Sequence, residues 1–358
     1  MLADHAPRAA YVAHHHAKPR VHAVRPKAVP VLAHIERDSN HAVAPPGTRP
    51  YQSGPFSRPV VDPRIIPESR VFIEHVLGGD VHHFGKLQFS TDPLGAHDGS
   101  TPIYVAHQSD PHYRIHCMKF TGCPIEGADV AIPREAKPAM NLGYTSFKDD
   151  GSHDQHLAVR NVDTGLETDM WLAPQPNGIG GTLEVGYGGS YELSSGGVGH
   201  AGATASGFSL SNGKVRAIDL LAGHIPYPLV LITPCENGHV PPAAGDDGGK
   251  DAGCPPIGAR IWLDSTPAQI AATHVSPEYQ TILRAMHEFG GYIGDRCEAC
   301  TLNIAREGGL TYTAFGLPDP WQAIAKLHPG EIESNGEYHL AIETGSIDLS
   351  RHLHVIAP

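Results

Sequence analysis

Between residues 154 and 184 the chain concentrates side chains that could act on a sugar. Asp154, Asp169 and Glu184 are carboxylates, His156 an imidazole, Arg160 a guanidinium and Trp171 an indole. Hydrolysis of a glycosidic bond needs two carboxyl groups flanking it, one of them protonated. Asp169 and Glu184 are the first such pair, and Asp154 is a third candidate. Elimination from a uronate needs a base, a proton donor and a group that neutralises the carboxylate. His156 with Arg160 supplies base and neutraliser, and Tyr187 or Tyr227 is the proton donor. In either chemistry Trp171 offers an aromatic plane to a sugar ring. The competing reading of the same residues is a solvated outer sheet face with scattered polar groups.

Three alternating runs, 156–162, 167–172 and 182–187, must position these groups. Period-2 alternation marks half-buried strands. Asp163-Thr-Gly165 reads as a tight hairpin turn between the first two. Leu157 and Val159 point one way, so His156 and Arg160 point the other, with Asp154 in phase if the strand begins that early. Met170 and Leu172 oppose Asp169 and Trp171. Leu183, Val185 and Tyr187 oppose Glu184, which puts Tyr187 on the apolar side unless the glycines after it bend the strand. The expectation is one polar face carrying His156, Arg160, Asp169, Trp171 and Glu184. The glycine-rich stretches at 178–181 and 186–189 would let a ligand approach the backbone. A short helix is expected near 215–221.

The 358 residues allow one large domain or two smaller ones. Gly 40 and Pro 32 make the chain loop-rich without reaching low-complexity levels. Residues 1–60 hold eight Lys/Arg against three Asp/Glu, so a net −12 overall leaves −17 for the remainder. An acidic body argues against nucleic acid, whose phosphates need a basic surface. No run of 18 apolar residues exists, so no membrane span is expected. Residues 1–50 are rich in Ala, His and Pro without hydrophobic periodicity and read as disordered. Seven of the 25 histidines fall within residues 1–41, as compositional bias, a tether or a metal-binding tail.

The ordered part is read as residues 55–358. Helices are expected at 67–77, at 277–289 behind a Ser276 cap, and from Pro320. Strands are expected at 103–106, 113–119, 229–233, 259–263 and 337–342. Six cysteines form three local pairs: Cys117/Cys123, Cys235/Cys254 and Cys297/Cys300. An even count in such pairs reads as disulfides and an oxidising compartment, although the start of the chain lacks a signal peptide's apolar stretch. Cys297-Glu-Ala-Cys300 is also compatible with a redox pair or half a zinc site. Asp246, Asp247 and Asp251, in the loop between Cys235 and Cys254, lack calcium-loop spacing and read as a wet acidic loop. There is no nucleophile elbow, P-loop, dinucleotide fingerprint or H-E-x-x-H. His82-His83 and His153/His156 are isolated pairs, so no metal or cofactor is assigned.

Several stretches together resemble a family of secreted, disulfide-containing actinobacterial proteins without an established activity. They include Tyr113-Arg-Ile-His-Cys117 with Cys123, Asp154-Gln-His156, Thr168-Asp-Met-Trp171, Gly186-Tyr-Gly-Gly189, Leu221-Ala-Gly-His-Ile225, Cys235-Glu-Asn-Gly238 and Gly316-Leu-Pro-Asp-Pro320-Trp321. The likeness covers about 55–358. It implies a secreted, β-rich protein with a polysaccharide context. This chain departs from the family where Ile-Asp/Asn-His-Ala-Leu is usual: it reads Ile225-Pro-Tyr-Pro-Leu229, with Tyr227 in the histidine's place.

The fold expectation is a mainly β domain, a single sandwich or jelly roll with a few short peripheral helices. The functional expectation is a secreted protein acting on an extended polysaccharide or cell-wall glycan, as hydrolase or uronate lyase. The alternative is a non-catalytic carbohydrate-binding or cell-surface protein. A deep cleft over the polar face favours chemistry, and a flat outer sheet favours the alternative.

Overall fold

The computed structural model describes residues 51, 53–78, 90–91, 100–140, 142–151, 153–200, 202–297, 300–327, 338–339 and 347–358. The expected disorder of residues 1–50 and the histidines there, and His82-His83, lie outside the described residues.

Fourteen strands are described: β1 (Ser90–Thr91), β2 (Ile103–Ala106), β3 (His112–Cys117), β4 (Asp129–Ala131), β5 (Leu157–Asn161), β6 (Leu166–Trp171), β7 (Gly181–Val185), β8 (Tyr187–Glu192), β9 (Leu229–Thr233), β10 (Arg260–Leu263), β11 (Gly291–Arg296), β12 (Asn303–Ile304), β13 (Tyr338–His339) and β14 (Leu353–Ile356). They form four sheets. Two of these, β2-β5-β6-β8 and β4-β3-β7, build one half of the molecule; β12-β9-β11-β10-β14 builds the other, and β1 pairs with β13 alone. The chain is therefore mainly sheet with short helices. The pairs β2/β5, β3/β7 and β9/β11 run parallel. Parallel neighbours need long crossovers, so these mixed sheets differ from an all-antiparallel jelly roll.

The β5–β6 hairpin forms where the sequence expects it. The Asn161 side-chain oxygen accepts from the backbone N–H groups of Asp163 and Thr164 at 3.0 and 3.1 Å, an Asx turn, and Gly165 takes φ 72°. Leu157, Val159 and Met170 then face Tyr113, Ile115, Leu183 and Val185 of the three-stranded sheet in one apolar core. The third alternating run is not one strand. At Gly186 the chain leaves β3, its partner along β7, and joins β6, its partner along β8. A Cβ there would stand 2.9 Å from Leu172 Cβ and 3.0 Å from the Trp171 ring, so only glycine fits this switch.

The second core lies along the five-stranded sheet, packed by the helices Ser69–Leu77, Pro277–Glu288 and Pro320–Leu327. The central helix begins as read: the Ser276 side chain caps the Tyr279 N–H, Pro277 opens the helix, and Tyr279, Ile282, Leu283 and Met286 are buried. The short helix after the glycine-rich segment is Ala217–Ala222. The strand expected at 337–342 is described only at Tyr338–His339, and it is not the last, because β14 follows. All three local cysteine pairs are disulfides. Among the described residues no helix is long and apolar enough to cross a membrane.

Replacing Ser276 by Ala removes a cap and leaves a backbone donor unmet. Denaturant unfolding should show a loss of about 1 kcal/mol for Ser276→Ala, and only a few tenths for Ser276→Gly.

Candidate functional site

The polar face read from β5 and β6 exists. Arg160 stands opposite Glu167 and Ala158 opposite Asp169 in the hairpin register. Most of this face is not open to solvent. Residues 203–212 fold back over it, with Ala203 and Leu210 packing against Ala158 and Ile103.

Under that cover, Glu167 and Asp169 are completely buried. Glu167 accepts hydrogen bonds from the Tyr51 hydroxyl at 2.9 Å, the Ser211 hydroxyl at 2.6 Å and the Ser211 N–H at 3.1 Å. The Arg160 guanidinium lies 3.4 Å from it. Asp169 accepts from the Leu210 N–H at 2.6 Å. Burial first, and the Glu167 charge second, push the Asp169 carboxyl well above the ordinary carboxylate range. Glu167 and Asp169 thus hold the covering loop to the sheet, Arg160 is buried against Glu167, and neither Arg160 nor Asp169 faces a ligand.

Glu184 also leaves the expected set. It is exposed on β7, beside His116 of β3, in a different sheet from Asp169. Alternation is local, and it could not reveal the change of sheet at Gly186. Tyr227 is a core residue: its hydroxyl is spent on the Lys214 carbonyl at 3.0 Å and on Asp219. Tyr187 is half-buried and donates to the Gly122 carbonyl at 3.2 Å.

Asp154 and His156 remain, at the end of the sheet where the cover stops. Backbone pairing continues past the end of β5, with Leu172 and Ala173 donating to the carbonyls of Asp154 and Gln155. Gln155 at φ 44° and Leu172 at φ 52° break the regular pleat. Left-handed non-glycine residues store strain, and here two of them flank the candidate groups. Both Asp154 and His156 line a cavity of about 350 Å³. Such a volume is in the range of small-ligand sites. The open end of the polar face therefore lines a cleft, with Asp154 and His156 the members of the expected set that reach it.

The other wall comes from the second half of the molecule, which sequence reasoning missed. It includes Asp295 on β11, Lys214 after the covering loop, and Arg306. The β9/β11 register shifts between Ile293 and Asp295, a bulge centred on Gly294. Bulges re-aim the side chains beside them. A Cβ on Gly294 would meet Val230 Cγ1 at 2.8 Å, so the bulge requires glycine. The available signal was a carboxylate directly after glycine in an otherwise apolar strand. Glu167 had a plainer signal, being in phase with Asp169.

The electrostatics of the two walls differ. Burial, reinforced by the charges of Asp247 and Asp154, pushes the Asp295 carboxyl up from 3.8 to about 7. Burial draws the Lys214 ammonium down from 10.5 to about 8, against the attraction of Asp295 and Asp169. Burial also lowers the His156 imidazole. His156 Nε2 lies 3.0 Å from the Ala203 carbonyl and donates to it, which leaves Nδ1 as the basic nitrogen of the neutral ring. Asp154 accepts from the Trp171 indole N–H at 2.8 Å. Trp171 stacks on Phe120, ring centroids 6.2 Å apart and planes within 10°, and Phe120 meets Tyr187 edge-on. Phe120 is 65% exposed, so an aromatic surface lies next to Asp154. Asp295, Lys214 and His156, each with a proton affinity shifted by burial, line one cleft, and such clustering marks candidate chemical sites.

The Asp295 shift fixes a sign. Its folded value lies above its unfolded one, so the stability it contributes is complete below about pH 4 and is lost as pH rises toward 7. Asp295→Asn removes this titration. Unfolding free energies measured from pH 4 to 7 should fall less with pH in the variant than in the parent; identical slopes would show that Asp295 does not hold its proton.

Comparison with protein-family models, curated proteins and solved structures finds no match to this chain. Its function is therefore read from the chemistry of the cleft.

Proposed function

We propose that the protein is an extracellular hydrolase of polysaccharide, a cell-wall glycan being the natural setting, with Asp295 as general acid and Asp154 as its partner carboxylate. One observation carries this reading. Two carboxylates from different halves of the molecule line one cleft, Asp295 on β11 where burial favours its proton, Asp154 just before β5, exposed beside an aromatic surface. Glycoside cleavage needs two carboxyl groups at the scissile bond, one of them holding a proton.

In this scheme a sugar ring rests on Phe120 and Trp171, which places the scissile bond over the cleft. Protonated Asp295 donates to the leaving oxygen. Asp154, oriented by the Trp171 N–H, takes a proton from the water that attacks the anomeric carbon as the bond to the leaving oxygen breaks. The neutral His156 accepts a sugar hydroxyl at Nδ1, and the Lys214 ammonium holds oxygen near the developing charge. The pair first read as Asp169 and Glu184 is replaced by Asp154 and Asp295. Elimination from a uronate is the weaker scheme, because Arg160, its neutralising group, is committed to Glu167. Extracellular placement rests on the three disulfides, which persist in oxidising compartments.

The test is a panel of neutral and uronate polysaccharides incubated with the protein. New reducing ends without ultraviolet absorbance are expected. Asp295→Asn and Asp154→Asn should each lower the rate at least about 100-fold. The parent's rate should fall above about pH 7, where Asp295 loses the proton it must donate. Absorbance from an unsaturated uronate would indicate elimination. Binding without cleavage would indicate a lectin-like protein, and full activity in both variants would move the site elsewhere.

A further inference from the structure

A second cluster lies away from the cleft. His75, in the last turn of the helix Ser69–Leu77, meets the loop closed by Cys235 and Cys254. One ligand atom from each of His75, Cys235, Asp251 and Cys254 lies within 4.8 Å of all the others. His75 Nε2 is 3.4 Å from Asp251 Oδ2. The other Asp251 oxygen accepts the Gly253 N–H at 2.9 Å, which turns Oδ2 toward the histidine. Gly253 is needed for this contact: a Cβ there would stand 2.7 Å from the His75 ring.

We propose that these four residues form a zinc site when the Cys235–Cys254 disulfide is reduced. One nitrogen, one oxygen and two sulfurs make a four-ligand set that suits tetrahedral zinc. With metal–ligand bonds of about 2.0 to 2.3 Å, the ligand atoms of a tetrahedral site lie about 3.3 to 3.8 Å apart. The observed 4.8 Å envelope needs only side-chain adjustment to reach this. The Cα atoms of the two cysteines are 5.8 Å apart, so neither strand of the loop has to move far for both sulfurs to share one ion. A surface cavity lined by Glu74, His75, Gly78, Pro234 and Cys235 gives an entry path. Among the described residues no other group of three such ligands lies as close together.

The chemistry balances in two steps. A phosphine reductant and water convert the disulfide to two thiols, and the phosphine becomes its oxide. Zinc then binds the two sulfurs with release of two protons to solvent. The exchange replaces a covalent clamp within the loop by a metal clamp between the loop and the helix. The same loop carries Asp247, which lies 4.0 Å from Arg296 beside the cleft. This proposal does not depend on what the cleft binds.

The test titrates the full chain, oxidised and phosphine-reduced, with Co²⁺ under anaerobic conditions, followed by Zn²⁺. The reduced protein should show thiolate-to-cobalt charge-transfer absorption and the visible bands of tetrahedral cobalt, abolished by Zn²⁺. The oxidised protein should show neither. Histidines elsewhere in the chain cannot mimic the thiolate band. Cys235→Ser with Cys254→Ser should remove all of it beyond what Cys117, Cys123, Cys297 and Cys300, freed by the same reductant, contribute. His75→Ala, which keeps both cysteines and so serves if the double variant does not fold, should weaken Co²⁺ binding at least about tenfold. No thiolate band in the reduced parent, a band of undiminished strength in the double cysteine variant, or unchanged affinity in His75→Ala would each overturn the proposal.

Discussion

The cleft depends on one buried interaction, the Glu167–Asp169 pair under residues 203–212. Two carboxyl groups without solvent are costly unless they are paired and hydrogen-bonded. Here the cost is offset from three directions. Arg160 brings a positive charge, Tyr51 a hydroxyl from the start of the described chain, and the loop itself two N–H groups and a hydroxyl. Burial and the neighbouring Glu167 favour the protonated form of Asp169, which eases the repulsion within the pair. The covering loop carries three serines and buries Ala203, Phe208 and Leu210. It lies flat because the sheet below requires its donors. That loop then supplies one side of the cleft, from Thr204 to Lys214.

The second half of the molecule is joined to the first through the same segment. The Ser206 N–H donates to the Gly294 carbonyl at 3.2 Å, at the bulge that aims Asp295. The His156 ring is tied to Ala203, at the start of the same loop. Asp154, His156, Lys214 and Asp295 therefore hold their relation through one short stretch anchored at both ends. Such groups act on a substrate only if their mutual geometry is fixed before it arrives.

Local features were legible in the sequence. The hairpin turn, the capped helix, the disulfide pairs and the shared face of Arg160 and Asp169 all follow from periods and turn chemistry that act over a few residues. What was not legible is long-range. Period 2 places Arg160 and Asp169 on one face, but it cannot say that residues 203–212 return to seal that face. It cannot show that Gly186 passes the chain from one sheet to another, which separates Glu184 from Asp169. Asp295 lies more than a hundred residues from Asp154, on a strand hidden behind the glycines that end the central helix. Its role becomes visible only when the bulge at Gly294 and the neighbouring charges are seen together.

The central claim is that a sugar chain occupies the cleft beside Asp154, and the Trp171 indole N–H reports on that place directly because it is bonded to Asp154. The chain has three tryptophans, and the Trp262 indole N–H is bonded instead to the His287 carbonyl in the other half of the molecule. Indole resonances in a ¹H–¹⁵N spectrum, assigned by Trp171→Phe, should be recorded while cell-wall and polysaccharide fragments are added to the Asp295→Asn variant. The account predicts that at least one fragment shifts the Trp171 resonance in a saturable manner while Trp262 stays in place. A Trp171 resonance unmoved by every fragment, or a fragment that shifts Trp262 alone, would contradict it.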